Sequence, residues 1–169
     1  MICLVILLLL AFSAHAESYA PFTTTGTVIK NHDGDTIKLQ TPDRGLLTIR
    51  FAASDTPETG QAYWKVARNV LRSPVVGKPV TASCYKRDRD KRDVCRVFVG
   101  AMDIGLETVR RGVAWYAFQY GSELKESERH DYLAAEQLAR EQRLGLWAEP
   151  DPMPPWECRK LRRAGQKCR

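Results

Sequence analysis

The sequence predicts a five-stranded β-barrel with three helices gathered at one end. Three observations point there. Five short runs alternate apolar and polar residues and are bounded by turn residues. A run with helical spacing follows the third of them, and two more follow the fifth. The length, 169 residues, suffices for one domain with a real core.

Residues 17–24 read as a flexible lead. Gly26 to Asn31 is the first strand, and His32-Asp33-Gly34 is turn chemistry. Ile37 to Gln40 is the second strand. After the turn Thr41-Pro42-Asp43-Arg44-Gly45, Leu46 to Ala53 is the third. Ala62 to Leu71 reads as a helix with Val66, Ala67, Val70 and Leu71 on one side, broken at Ser73-Pro74. Pro79 to Tyr85 and Val94 to Val99 are the remaining strands, around the charged tip Lys86–Asp93. Asp103 caps a short helix, Ile104 to Arg111, which Gly112 ends. Ser122 caps a long helix running to Arg143. Glu123 and Glu126 in its first turn, and Arg140 and Arg143 in its last, complement the helix dipole. From Glu149 the tail is proline-rich and then basic. The pattern thus divides into a barrel domain over 25–148 and an extension over 149–169. Among small barrels the five-stranded OB-fold fits best, and it commonly binds oligonucleotides.

The run Ile2 to Phe12 is apolar without a break, too short to span a membrane, and followed by Ala14-His15-Ala16. Residues 1–16 are therefore expected to be a signal peptide, and the protein to be exported to the periplasm or beyond. The leader holds no Asp, Glu, Lys or Arg, so the net charge of +6 stays with the rest. A basic exported chain suits an anionic partner, nucleic acid or an acidic surface. Four cysteines remain: Cys84, Cys95, Cys158 and Cys168. In an exported chain an even number favours disulfides. Three connectivities are open, and sequence order favours Cys84–Cys95 with Cys158–Cys168. A symmetric hairpin would set Cys84 opposite Cys95 on one face. The spacings are not those of zinc modules.

The chemistry concentrates in residues 33–58, where Asp35, Asp55 and Glu58 bracket Arg50. A hairpin would bring Asp35 beside the Asp55–Glu58 end of the next strand. Acids alone would repel there, and a hard cation such as calcium would hold them together. An arginine among them points to an anionic ligand as well, and a phosphate fits.

Three blocks extend this pattern: Asp33-Gly34-Asp35-Thr36; Arg50 five residues before Asp55-Thr56-Pro57-Glu58; and Arg92-x-Val94 followed by Asp103-Ile104 and Val109-Arg110-Arg111-Gly112-Val113-Ala114-Trp115. From Gly26 to Trp147 the chain resembles staphylococcal nuclease and its relatives, the thermonuclease family. The resemblance implies an OB-fold barrel with three helices. It implies one calcium ion held by Asp35, Asp55 and the backbone carbonyl of Thr56, and a catalytic trio of Arg50, Glu58 and Arg92. Phe118 and Tyr120 fall on nucleotide-contacting aromatic positions, and Arg89 beside Arg92 is a further candidate for nucleic-acid contact. The activity implied is calcium-dependent cleavage of DNA and RNA that leaves 3′-phosphate ends. One departure stands out: Asp90-Lys91 occupy the place of the Tyr-Gly that usually precedes the second catalytic arginine. A monomer without membrane insertion after leader removal is expected. The competing classes are an OB module that binds nucleic acid without cleaving it, and a disulfide-stapled scaffold. The basic tail reads either as a solvated terminus or as a nucleic-acid arm.

Overall fold

A computed structural model describes residues 19–168, and in it five strands close on themselves. The expected signal peptide, residues 1–16, lies outside the described residues. Strand β1 spans Phe22–Asn31, β2 Thr36–Thr41, β3 Gly45–Phe51, β5 Pro79–Arg87 and β6 Asp93–Val99, with the two-residue strand β4 at Ser54–Asp55. Their order is β3-β2-β1-β5-β6, and a parallel pairing of β3 with β6 completes the ring. This is the OB-type barrel that the alternation predicts. The first strand begins at Phe22, inside the stretch read as a flexible lead, because Phe22 to Thr27 pair residue by residue with β5.

Short pieces complete the fold. Strand β7 is Met102–Asp103 and β8 is Trp115–Tyr116, which pairs with β4. Helix α1 is Trp64–Val75, α2 Ile104–Arg110, α3 Glu126–Glu141 and α4 Pro155–Arg163. The helix α4 comes in addition to the three expected and lies in the proline-rich, basic tail.

Inward-facing residues of alternating strands fill the barrel: Val28, Ile37, Leu39, Ile49, Phe51, Val80, Ala82 and Val97 are all buried. Cys84 and Cys95 join them, opposite each other in register and disulfide-bonded. Cys158, within α4, and Cys168, past its end, form a second disulfide. Both pairings are those that sequence order favours.

Two helices depart from expectation for local reasons. In α1 the buried stripe is Ala67, Leu71 and Val75, while Val66 is 45% exposed. Pro74 sits in the last turn rather than ending the helix before itself. There it removes one hydrogen bond near an end that is about to fray anyway, so the cost is small. The long helix starts at Glu126, not after Ser122, which belongs to a 3₁₀ turn over Phe118–Glu123. Leu124 is extended and buried against Tyr116 and Tyr132, which pulls the chain out of helical conformation. Glu128 then accepts from the Lys125 backbone N–H at 2.8 Å and closes the first turn.

Asp103 behaves as expected and carries more besides. Its carboxylate accepts from the Leu106 N–H at 3.1 Å, which caps α2, and from Arg96 Nε at 2.8 Å. The Tyr132 hydroxyl lies 3.3 Å from it and joins α3 to the same point. Asp103→Ala removes the cap and takes the shared acceptor from Arg96 Nε and from the buried Tyr132 hydroxyl. It is expected to lower the unfolding free energy by about 3 kcal/mol in urea denaturation. A loss below about 1 kcal/mol would show the cluster to be dispensable.

Candidate active site

The turn before β2 sets the first acid. Asp33 Oδ1 accepts the Asp35 N–H at 3.1 Å, folding the chain on itself. Gly34 between them has no room for a side chain: a Cβ there would lie 2.6 Å from the Thr56 methyl and 2.9 Å from Ala67 Cβ. Glycine thus lets the turn press against the segment that carries Thr56. Asp35 is nearly fully buried, and its Oδ2 accepts from both Thr56 N and Thr56 Oγ1 at 2.7 Å.

Strand β3 supplies Arg50, which stands opposite Thr36 in the β2–β3 register. After Phe51 the chain turns sharply, with Ala53 at φ 56°. A left-handed alanine costs roughly 1–2 kcal/mol. The turn redirects the chain into β4, and Asp55 is placed beside Arg50. Arg50 Nη2 donates to Asp55 Oδ1 at 2.8 Å, and Nη1 lies 3.4 Å from Asp35 Oδ2. Nη1 also donates to the carbonyls of Phe51 and Ser54. The guanidinium is therefore a rigid brace between two buried acids. Burial opposes the charge on Asp35, but Arg50 and the two Thr56 donors outweigh it and hold the carboxyl below its ordinary range.

Glu58 follows Pro57 and is the more accessible acid, its side chain 28% exposed. Its backbone N–H donates to Gln61 Oε1 at 2.8 Å. Helix α1 begins only at Trp64 and has no side-chain cap, so Glu58 does not serve as its cap.

These groups open onto a cavity of about 770 Å³, also lined by Arg89, Arg92 and Tyr120. Arg92 lies in the β5–β6 loop. Its Nε and Nη2 hold Asp88 Oδ2 at 2.8 Å, and Nη1 is 3.5 Å from Thr36 Oγ1. It therefore reaches the cavity from the rim and does not join Arg50 on the acids. Lys91 holds φ 60° in that loop, a left-handed conformation that glycine adopts more readily than lysine. Asp90 is 3.5 Å from Arg92 Nη2, so it faces this guanidinium rather than standing free. Arg89 is exposed at the same rim. Tyr120 is 45% exposed with Lys86 5.3 Å above its ring, whereas Phe118, 68% exposed, lies outside the cavity lining.

One participant escaped the sequence. Arg159 of α4 donates to Asp55 Oδ2 at 2.7 Å, to Asp55 Oδ1 at 3.1 Å and to Glu58 Oε1 at 2.7 Å. In the sequence it is one basic residue among several in the tail. The signals for a docked helix were Pro154-Pro155, suited to a first helical turn, and a cysteine tied to Cys168.

The donor set suits a hard cation. Asp35 and Asp55 offer oxygen only, the donor type that hard divalent ions take. Burial, and then the Asp35 charge, push the carboxyl of half-buried Asp33 up to about 7. Among the described residues no three acidic, histidine or cysteine side chains gather into a cage for a metal. A cation here would draw its other ligands from backbone, water and substrate, as hard divalent ions commonly do.

Residues 48–149 match the family described as staphylococcal nuclease homologue. An uncharacterized endonuclease of Escherichia coli is 34% identical over 132 residues, 78% of this chain and 82% of the relative. A second, from Haemophilus influenzae, is 33% identical over 80% of this chain and 73% of its own length. A micrococcal nuclease of Shigella flexneri is 32% identical over 80% of each. Fold, motif order and these matches agree, and the chain belongs to the staphylococcal nuclease family.

Proposed function

We propose that the protein is a calcium-dependent nuclease that hydrolyses phosphodiester bonds in DNA and RNA and leaves 3′-phosphate ends. The observation that carries this is the convergence of Asp35, Asp55, Arg50 and Glu58 on one open cavity. The names of the relatives, endonuclease and micrococcal nuclease, support it.

Asp35, Asp55 and the Thr56 carbonyl would hold the ion. Bound there, calcium would neutralise charge on a non-bridging phosphate oxygen and help to orient water. The residues supply the rest. Among the described residues, Arg50 keeps its Nε–H and one Nη2–H free of protein hydrogen bonds. Those donors can meet the phosphate as its charge grows towards the transition state. Glu58 accepts or positions the proton of the attacking water. Arg92, at the cavity rim, would serve the leaving oxygen once it turns from Asp88. Tyr120 and Phe118 give exposed rings on which bases can stack, and Arg89 adds charge for the strand.

The second reading, an exported OB module that binds without cleaving, has in its favour the salt bridge that turns Arg92 away from the acids. Incubation with single- and double-stranded DNA and RNA in calcium separates the two. Shortened strands that a polymerase extends only after phosphatase treatment are expected. Intact strands shifted in a gel would favour the binding module. No interaction with any of these would remove both readings. No helix among the described residues is long and apolar enough to cross a membrane, and two disulfides are compatible with export.

A further inference from the structure

We infer that α4 is part of the active site, and that Arg159 acts there as a built-in cation. It holds Asp55 and Glu58 until a divalent ion displaces it from Asp55. This inference rests on reading Asp35 and Asp55 as the cation site.

The geometry argues it directly. Asp55 is 1% exposed, and both its oxygens are taken: Oδ1 by Arg50 and Arg159, Oδ2 by Arg159. An ion that needs this carboxylate meets a guanidinium already spanning it. Such forked, charge-assisted pairs are among the stronger hydrogen bonds in proteins. Arg159 also donates to Glu58, so one side chain ties the candidate metal ligand to the candidate base. When Asp55 passes to the ion, the bond from Arg159 Nη1 to Glu58 Oε1 can persist. In that state Arg159 is a positioning residue for Glu58.

The rest of α4 is built to hold this arginine in place. Trp156 packs edge-on against Trp115, with ring centroids 6.4 Å apart. Cys158, next to Arg159, is fully buried and disulfide-bonded to Cys168. Gln61 joins the two regions: its Oε1 accepts the Glu58 N–H, while its Nε2 donates to the Met153 carbonyl at 2.9 Å. Arg162 lies 3.8 Å from Glu58 Oε2 and donates to the Thr59 carbonyl. The Arg159 side chain is nevertheless 30% exposed, which leaves it a way off Asp55 into the cavity. Helix α4 itself, with Arg159, lies beyond residue 149, where the family match ends.

The test is calorimetric titration of calcium into the purified protein without nucleic acid, for wild type, Arg159→Lys and Arg159→Gln. A competitor that occupies the site about nine-tenths of the time raises the apparent Kd about tenfold. Arg159→Gln is therefore expected to bind calcium about tenfold more tightly than wild type. Lysine keeps the charge but cannot span both oxygens of Asp55, so Arg159→Lys should fall between them. With calcium saturating, turnover of DNA by Arg159→Gln should fall, because Glu58 loses its anchor. Any other order of calcium affinity overturns the inference, including equal binding by all three, and leaves the nuclease reading untouched. Failure of all three to bind calcium overturns both. Circular dichroism confirms that each variant is folded, and the lysine variant decides if the glutamine one is not.

Discussion

Glu58→Gln is expected to lower kcat for DNA cleavage about 10²- to 10⁴-fold, the range of a general base. The exchange is nearly isosteric. The backbone N–H of residue 58 keeps its bond to Gln61, since that contact does not involve the side chain. Asp35 and Asp55 keep their bonds to Thr56 and Arg50, so the candidate cation site remains. What is lost is an acceptor able to take a proton, together with one ionic partner of Arg159. The measurement is kcat and KM at saturating calcium, with folding checked by circular dichroism. A large fall in kcat with little change in KM is expected. A variant within about threefold of wild type in kcat would remove Glu58 from the chemistry.

Arg50→Ala is expected to act on both activity and stability. A guanidinium that meets transition-state charge in phosphoryl transfer is worth about 10³- to 10⁵-fold in rate. The same side chain braces two buried acids, at 2.8 Å and 3.4 Å. Its removal leaves Asp35 without its main positive neighbour, at a cost of about 3 kcal/mol or more. Calcium should return part of that stability, because an ion restores positive charge between the acids. Arg50→Lys separates the two roles. A lysine can supply the charge but not the fork that meets Asp55, Ser54 and Phe51 together. Its expected signature is near-normal stability with activity still reduced by orders of magnitude. Arg50→Lys with full activity would mean that the position contributes charge alone.

The barrel and the central acids were legible because both are encoded locally. Alternation along β2 and β3 fixes which residues face inward, and the short turn between them fixes the register, so Thr36 meets Arg50. The disulfide Cys84–Cys95 follows from the same arithmetic on β5 and β6. Misjudged features depend on what packs against a segment. The side of α1 that is buried was set by Ala67, Leu71 and Val75 reaching the barrel, which leaves Val66 in solvent. The start of α3 was set by the burial of Leu124, not by the serine that looks like a cap. Arg159 lies more than a hundred positions from Asp55, at a separation of 104 residues. Periodicity can propose that helix, but it does not say which acid its arginine meets.

The most direct test of a cation-assisted phosphodiesterase site uses one tube. A labelled DNA is mixed with the wild-type protein, and calcium, excess chelator and excess calcium are added in turn while cleavage is followed. Cleavage that starts with calcium, stops with chelator and starts again is the predicted result. Cleavage that runs through the chelator step, or never begins on any addition, would contradict it.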